Sequence, residues 1–286
     1  MKTINGITFD EIALEDSIKA TLSSGTWIED FVKDFFDNPK IKNLLDNNMF
    51  NAAFDKWVEM LKGRDWNHIY TSLFFKILLS CDIDFIYDIS EISKHAFRDC
   101  MELSSVVIPD NVRVIASEAF RDCKSLTSVV MKDGVTSISY SAFVNCTNLT
   151  SIEIPSTVKF IYGHAFWNCE NLTDVKIANG VSVIYDYVFE DCINLKSITI
   201  PESIKSISDG LFSRCESLTS VTLPNTITSI GGYVFSGCDS LKEITFLGTK
   251  QEWKKIQKNW TWRDSVHGLM PLTVRCKDGV IIYADK

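Results

Sequence analysis

A cysteine recurs every 23 residues along the second half of the chain, at Cys100, Cys123, Cys146, Cys169, Cys192, Cys215 and Cys238. A phenylalanine stands three positions before each (Phe97, Phe120, Phe143, Phe166, Phe189, Phe212, Phe235), and a leucine three positions after (Leu103, Leu126, Leu149, Leu172, Leu195, Leu218, Leu241). Three columns held in register through seven units do not arise from composition. A fixed period of roughly 20–50 residues marks stacked repeats, in which neighbouring units together bury an apolar side that none can bury alone. The chain is therefore expected to fold as an α+β repeat solenoid, which favours binding over catalysis.

One unit reads directly in Cys146-Thr147-Asn148-Leu149-Thr150-Ser151-Ile152-Glu153-Ile154-Pro155. Ile152 and Ile154 alternate with polar neighbours, the period of a strand with one buried face. The pair recurs as Val106/Ile108, Val129/Met131, Val175/Ile177, Ile198/Ile200, Val221/Leu223 and Ile244/Phe246. Pro109, Pro155, Pro201 and Pro224 end their strands, because proline has no N–H for the ladder. Asp133-Gly134 and Asn179-Gly180 take the same place in other units, where glycine gives access to positive φ. Apolar positions three apart follow, such as Val158 and Ile161 or Ile204 and Ile207. The stretch from Gly163 to Cys169 then predicts a helical turn with Ala165, Phe166 and Cys169 on one side.

Composition is that of an ordinary folded protein, with 286 residues, 45% hydrophobic and 23% charged. A net charge of −8 argues against nucleic acid as the partner. The start, MKTINGITFDEIALEDS, has no apolar run of the kind a secretory signal needs. The most apolar stretch, Leu73 to Leu79, is far shorter than the roughly 20 residues of a membrane span and carries Lys76. The expected compartment is the cytoplasm, with a secreted or cell-surface protein as the alternative if a leader has been removed. Equivalent side chains in stacked strands lie about 4.8 Å apart, whereas a disulfide brings its Cβ atoms to about 3.8 Å. The periodic cysteines are thus expected to be reduced, buried fillers.

The series from Ala119-Phe120 to Val129, and from Ala142-Phe143 to Pro155, resembles the BspA-like leucine-rich repeats over residues 85–247. That resemblance implies a leucine-rich-repeat right-handed coil, bacterial origin, and a broad sheet face used for ligands. The residues after it also match what closes such arrays. Gln251 to Lys258 reads as a short helix carrying Trp253 and Ile256 on one face. Asp278-Gly279, between Leu272-Thr273-Val274 and Val280-Ile281-Ile282, reads as a hairpin turn. Residues 248–286 are expected to form a helix-hairpin cap, with Trp260 and Trp262 packed beneath it.

Before the repeats the periodicity is helical. Helices are expected from Asp10 to Leu22, from Thr26 (a cap) to Asn38, from Lys40 to Leu61, and from Trp66 to Ser80. Residues 1–84 are therefore expected to form an N-terminal helical bundle.

Catalytic motifs are missing. His68, His95, His164 and His267 are the only histidines; His95 and His164 are three units apart, about 15 Å along the stack, and cannot share a metal. Gly248-Thr249-Lys250 lacks the glycine-rich lead of a phosphate loop. No cofactor or metal is expected. Two surfaces compete as protein-binding sites. Outward-facing strand positions carry hydroxyls and charges, among them Glu153, Asp174, Lys176, Thr199 and Thr222. The middle units also carry large aromatic residues where their neighbours have small or polar ones: Tyr140, Phe160, Tyr162, Trp167, Tyr185 and Tyr187. Clusters of exposed aromatics mark contact sites. The expected function is a non-enzymatic scaffold or recognition subunit for a protein partner. One alternative is a secreted or surface adhesin; another is a helical domain with its own activity, targeted by the repeats. Added reductant should leave the melting temperature unchanged; a large drop would overturn the free-thiol expectation.

Overall fold

The computed structural model describes residues 2–4, 7–9, 18, 26–46, 53, 56, 90–264 and 272–283. Strands β1 (Lys2–Ile4) and β2 (Ile7–Phe9) precede the repeats. Then follow β3 (Glu91–Ile92), β4 (Leu103–Ile108), β5 (Val114–Ile115), β6 (Ser128–Met131), β7 (Ser137–Ile138), β8 (Ser151–Ile154), β9 (Phe160–Ile161) and β10 (Asp174–Ile177). The series continues with β11 (Val183–Ile184), β12 (Ser197–Thr199), β13 (Ser206–Ile207), β14 (Ser220–Leu223), β15 (Ser229–Ile230) and β16 (Glu243–Phe246). Last come β17 (Gln257–Lys258), β18 (Leu272–Cys276) and β19 (Gly279–Tyr283). The helices are α1 (Thr26–Asp37), α2 (Pro39–Asp46) and α3 (Lys250–Lys255).

The chain is a β-solenoid of about seven turns in which each coil gives one strand to a wide sheet and a shorter one to a narrow sheet. The pairing is parallel and its register equals the sequence repeat: Ser128 sits beside Ser151, Asp174 beside Ser151, Ser197 beside Ser220. Between the sheets lies one continuous core. The seven phenylalanines and seven cysteines of the repeat columns are all buried in it. Neighbouring phenylalanine rings stack nearly parallel with centroids 5.0 to 6.1 Å apart, a spacing at which aromatic pairs attract. The alternating strand residues are buried as expected, apart from the half-buried Ile177.

The stretch ending at each cysteine is not a helical turn. Alternate N–H groups do bond three residues back, as in Ala165 to Tyr162, Trp167 to His164 and Cys169 to Phe166. Every fourth residue, however, has positive φ: His164 at 56° and Asn168 at 57°, with equivalents in every coil. A left-handed residue breaks helical propagation and turns its own N–H toward the next coil. Asp122 accordingly donates to Val144 O at 2.8 Å, Asn145 to Trp167 O at 2.9 Å and Asn168 to Glu190 O at 2.9 Å. The column holding Asn168 reads Asp99, Asp122, Asn145, Asn168, Asp191, Arg214, Gly237, mostly the residue types that tolerate this conformation. The opposite correction applies to Gly134 and Gly180. Neither has positive φ; a Cβ on either would lie 2.1 Å from a backbone oxygen of the coil before, Asp110 O or Ser156 O. Close approach, rather than φ, demands glycine there.

Both sheets are interrupted at one junction, between β10 and β12 and between β11 and β13. One coil earlier, Ala178 N–H donates to Ile154 O at 3.0 Å. Pro201 holds the equivalent place and has no hydrogen to give, but Pro155 and Pro224 do the same at junctions that stay paired, so proline alone does not account for the interruption. Side chains take over at this junction: Asn179 Oδ1 accepts from Glu202 N–H at 3.1 Å and Asp186 Oδ1 from Asp209 N–H at 3.2 Å. The turn side stays laced by backbone bonds such as Phe189 N–H to Leu211 O at 3.1 Å.

At the amino end, β1 and β2 form an antiparallel hairpin, and β2 pairs antiparallel with β4. This hairpin, absent from a purely helical expectation, adds two strands to the edge of the wide sheet. α1 matches the expected second helix, and α2 covers the start of the third; Ala53 and Lys56 are also helical. Ile18, within the expected first helix, is helical; the rest of that helix, the expected helix over 66–80 and the remainder of the third lie outside the described residues, so the bundle as a whole is not described.

At the other end, α3 is shorter than expected. Thr249 caps it in a capping box with Glu252, and Ile256 is already extended at φ −59° and ψ 127°. Gln257 and Lys258 then pair with Ser229 and Ile230 as one more strand of the narrow sheet. β18 and β19 form the expected hairpin. Trp262 is buried and ends the phenylalanine stack edge-on, 6.1 Å and 76° from Phe235. Trp260, in the turn that follows β17, is not packed beneath it, being 83% exposed. Phe166→Ala should cost about 3–5 kcal/mol in chemical denaturation; a loss below about 1 kcal/mol would mean the ring stack is not a packed core.

Candidate protein-binding surfaces

The expected contact residues divide between two faces. Glu153, Asp174, Lys176 and Thr199 are exposed on the wide sheet, and Thr222 is half-buried beside Thr199 and Thr245. They stand outward because their neighbours Ile152, Ile154, Val175, Ile198, Val221 and Leu223 are drawn inward. Asp174, Lys176 and Thr199 line a groove at the interrupted junction, together with Asn179, Pro201 and Glu202. Lys176 and Asp174 are 3.9 Å apart with both side chains mostly in water, so their attraction counts for little.

The aromatic residues gather on the narrow-sheet side in two short columns. In the first, Phe160 is 6.2 Å from Tyr162, and Tyr162 stacks on Tyr185 at 4.9 Å and 6°. In the second, His164 is the hub. Its ring stacks on Tyr187 at 5.3 Å and meets the edges of Tyr140 at 5.3 Å and Trp167 at 5.7 Å. Tyr187 then lies over Gly210, where a Cβ would come within 2.1 Å of its ring. Positive φ at Gly210 and this close approach together exclude other residues. Tyr140, Phe160, Tyr162 and Tyr185 are 52%, 38%, 37% and 38% exposed, whereas Trp167 and Tyr187 are half-buried. Trp167 is further held by its indole N–H, which donates to Asp191 Oδ2 at 3.0 Å. It supports the patch more than it offers itself to a partner.

Two members of this surface escape a search for large aromatics in the middle units. In the sequence, His164 enters only among the histidines too far apart to share a metal. Tyr233, 49% exposed, stands two repeats beyond Tyr187 in the same left-handed column. Reading that column down the repeats, His164-Tyr187-Gly210-Tyr233, is the signal that finds both.

Burial holds the His164 imidazole below its usual 6.5, against an opposing pull from Asp186. Burial, with Asp191 adding, raises the Glu190 carboxyl, while a hydrogen bond from Ser213 and the charge of Arg214 oppose the shift. Tyr187 is raised by burial and by Asp209, Glu190 and Asp186. Burial likewise raises the thiols of Cys146, Cys169, Cys192, Cys215 and Cys238. Burial pushes Cys169 up to about 12, far from the thiolate range that reactive cysteines need. Six of the repeat thiols also donate to a phenylalanine carbonyl one coil back, as Cys146 does to Phe120 O at 3.1 Å. They are therefore donors as well as fillers. None of the eight described cysteines is assigned to a disulfide. Among the described residues, no three His, Cys, Asp or Glu side chains gather as a metal site requires. No described helix is long and apolar enough to cross a membrane.

Stacked coils with parallel strands in register, a leucine and cysteine core, and a side-chain-lined outer face define a leucine-rich-repeat solenoid. The chain belongs to the family of the BspA type leucine rich repeat region, whose profile matches residues 64–173, 90–216 and 161–260 in six copies. No curated protein matches it. Among solved structures, a leucine-rich repeat protein of T. pallidum is 32% identical, covering 50% of this chain and 72% of its own, with a TM-score of 0.47. A leucine rich cell surface protein of Faecalibacterium prausnitzii is 26% identical over 57% of this chain and 64% of its own, at 0.30. A leucine-rich repeat protein of Bacteroides ovatus is 27% identical over 56% and 53%, at 0.36.

The position of His164 makes a prediction. Its folded pKa lies below that of the unfolded chain, so the unfolded state takes up the proton first. The stability that His164 contributes is present above pH 6.5 and is lost as the pH falls through and below that value. In NMR titration its imidazole should titrate below 6.5; a value at or above 6.5 would place the ring in open water.

Proposed function

We propose that the protein is a non-enzymatic scaffold that binds a protein partner through the aromatic columns of its narrow-sheet side. Leucine-rich-repeat proteins are generally protein-interaction scaffolds. The observation that carries the particular face is the set of four exposed rings, Tyr140, Phe160, Tyr162 and Tyr185, each in contact with another aromatic ring, edge-on, tilted or stacked. Rings fixed before contact lose little side-chain freedom on binding, so more of the contact energy appears as affinity. Tyrosine also supplies a hydroxyl at the rim of an apolar surface, a combination favoured at interaction hot spots.

In this reading residues 85–247 are the binding solenoid, wound as a right-handed coil. Residues 1–84 and 248–286 close its two ends, since an open end would expose apolar surface. Burial of Trp253 and Trp262 against Phe246 and Phe235 supports that role for the carboxyl end.

The test compares intact protein with two folded variants in affinity capture from host lysate. Phe160→Ser/Tyr162→Ser/Tyr185→Ser removes the aromatic face, and Glu153→Lys/Lys176→Glu alters the wide sheet. A partner retained by the second variant and lost by the first is the expected result. Loss with the second alone moves the site to the wide sheet, and equal capture by both moves it off the solenoid faces.

A further inference from the structure

Among the described residues, β19 is the last strand of the wide sheet and pairs on one side only, with β18. Its backbone polarity follows from one hydrogen bond. Thr273 N–H points away from β19, to Lys242 O at 3.0 Å. In an antiparallel pair, hydrogen-bonded and non-hydrogen-bonded positions alternate. Leu272, Val274 and Cys276 therefore face β19, and their opposites Tyr283, Ile281 and Gly279 face back. The N–H and C=O groups of Val280 and Ile282 are left pointing out of the sheet. Their side chains are bare as well, 44% and 71% exposed.

Natural sheet edges are usually blunted by lysine, proline, a bulge or an inward charge. Gly279-Val280-Ile281-Ile282-Tyr283 has neither charge nor proline, and its register with β18 runs without a bulge. The other outer edge of the wide sheet, β1, is three residues long and carries Lys2. The two most exposed large apolar side chains among the described residues, Trp260 and Ile282, also belong to the carboxyl end of the stack, where β17 and β19 close the two sheets.

We propose that two copies of the chain form a reversible symmetric dimer in which their β19 strands pair antiparallel about a two-fold axis at Ile281. The strand is complementary to itself in this register. Val280 of each copy lies opposite Ile282 of the other, so the outward backbone groups of both residues exchange hydrogen bonds and their exposed side chains cover one another. Ile281 meets its own symmetry mate at a position that forms no hydrogen bond. No like charges oppose each other along the five residues. The two wide sheets become continuous across the junction. A contact this small lies below the roughly 1,200 Å² of a standard interface, so the dimer dissociates on dilution.

Sedimentation of the full chain from micromolar to near-millimolar concentration should show a monomer–dimer equilibrium. Ile282→Lys, at a site exposed enough to leave the fold intact by circular dichroism, should weaken it by about tenfold or more. Ile281→Cys reads the register itself. Its two Cα atoms would sit about 4.5 Å apart, within disulfide reach, and mild oxidation should yield a covalent dimer that reductant reverses. A chain that stays monomeric throughout, or a dimer indifferent to Ile282→Lys, overturns the proposal. So does growth beyond two chains, which would mean head-to-tail pairing of β19 with β1.

Discussion

Backbone hydrogen bonding between coils, at one fixed spacing, is what the rest of the structure depends on. Each coil satisfies its strand groups with one neighbour and its turn groups with the next, as Thr127 N–H does with Ser104 O and Asp122 N–H with Val144 O. Buried backbone groups left unpaired would be costly, so every coil must keep the same path. The left-handed residues make that possible on the turn side, and the glycines at Gly134 and Gly180 make it possible at the bends. Side chains then repeat the arrangement in their own terms. Asp122, Asn145 and Asn168 form a ladder at 2.7 and 3.0 Å. Thr150 and Thr173 each cap a carbonyl of the coil before.

The aromatic surface follows from the same rule. Once equivalent positions are held one strand apart, aromatic residues of one column in adjacent coils come to stack, as Tyr162 and Tyr185 do. A repeat that drops to glycine in such a column, as at Gly210, leaves room for the ring before it to lie flat. The face is thus assembled by ordinary column logic, and its chemistry is set by which few units depart from the small polar residues of their neighbours.

That logic explains what the sequence discloses and what it does not. The period, the buried columns, the strand alternation and the closing hairpin are legible because each is repeated or carries its own turn chemistry. The path between them is less so. Ala165, Phe166 and Cys169 sit on one side of a helical turn or of left-handed β-turns equally well; only the column of Asp and Asn three residues downstream of Ala165 distinguishes the two. The amino-terminal hairpin had a local signal in Asn5-Gly6 between Ile4 and Ile7, outweighed by the helical pattern that follows. Trp260 and Trp262 look alike in sequence, yet one is bare and the other buried. Tertiary register decides such cases, and a single chain read locally does not contain it. Among the candidate site residues, the split between the two faces was visible from strand parity. The tethering of Trp167 by Asp191 was not, since those residues are 24 apart and meet only across coils.

The left-handed column carries a consequence for how such a chain can change its length. Removing or adding one whole 23-residue unit leaves every remaining residue in the conformation its type tolerates, and shifts the reach of the binding face by a single strand width. A deletion of any other size sends apolar residues to solvent and pushes bulky or β-branched ones into positions built for asparagine, aspartate or glycine. The chain is therefore discrete in length: duplication or loss of complete units can retune the span of its surface, while small insertions within a coil are excluded by the backbone itself.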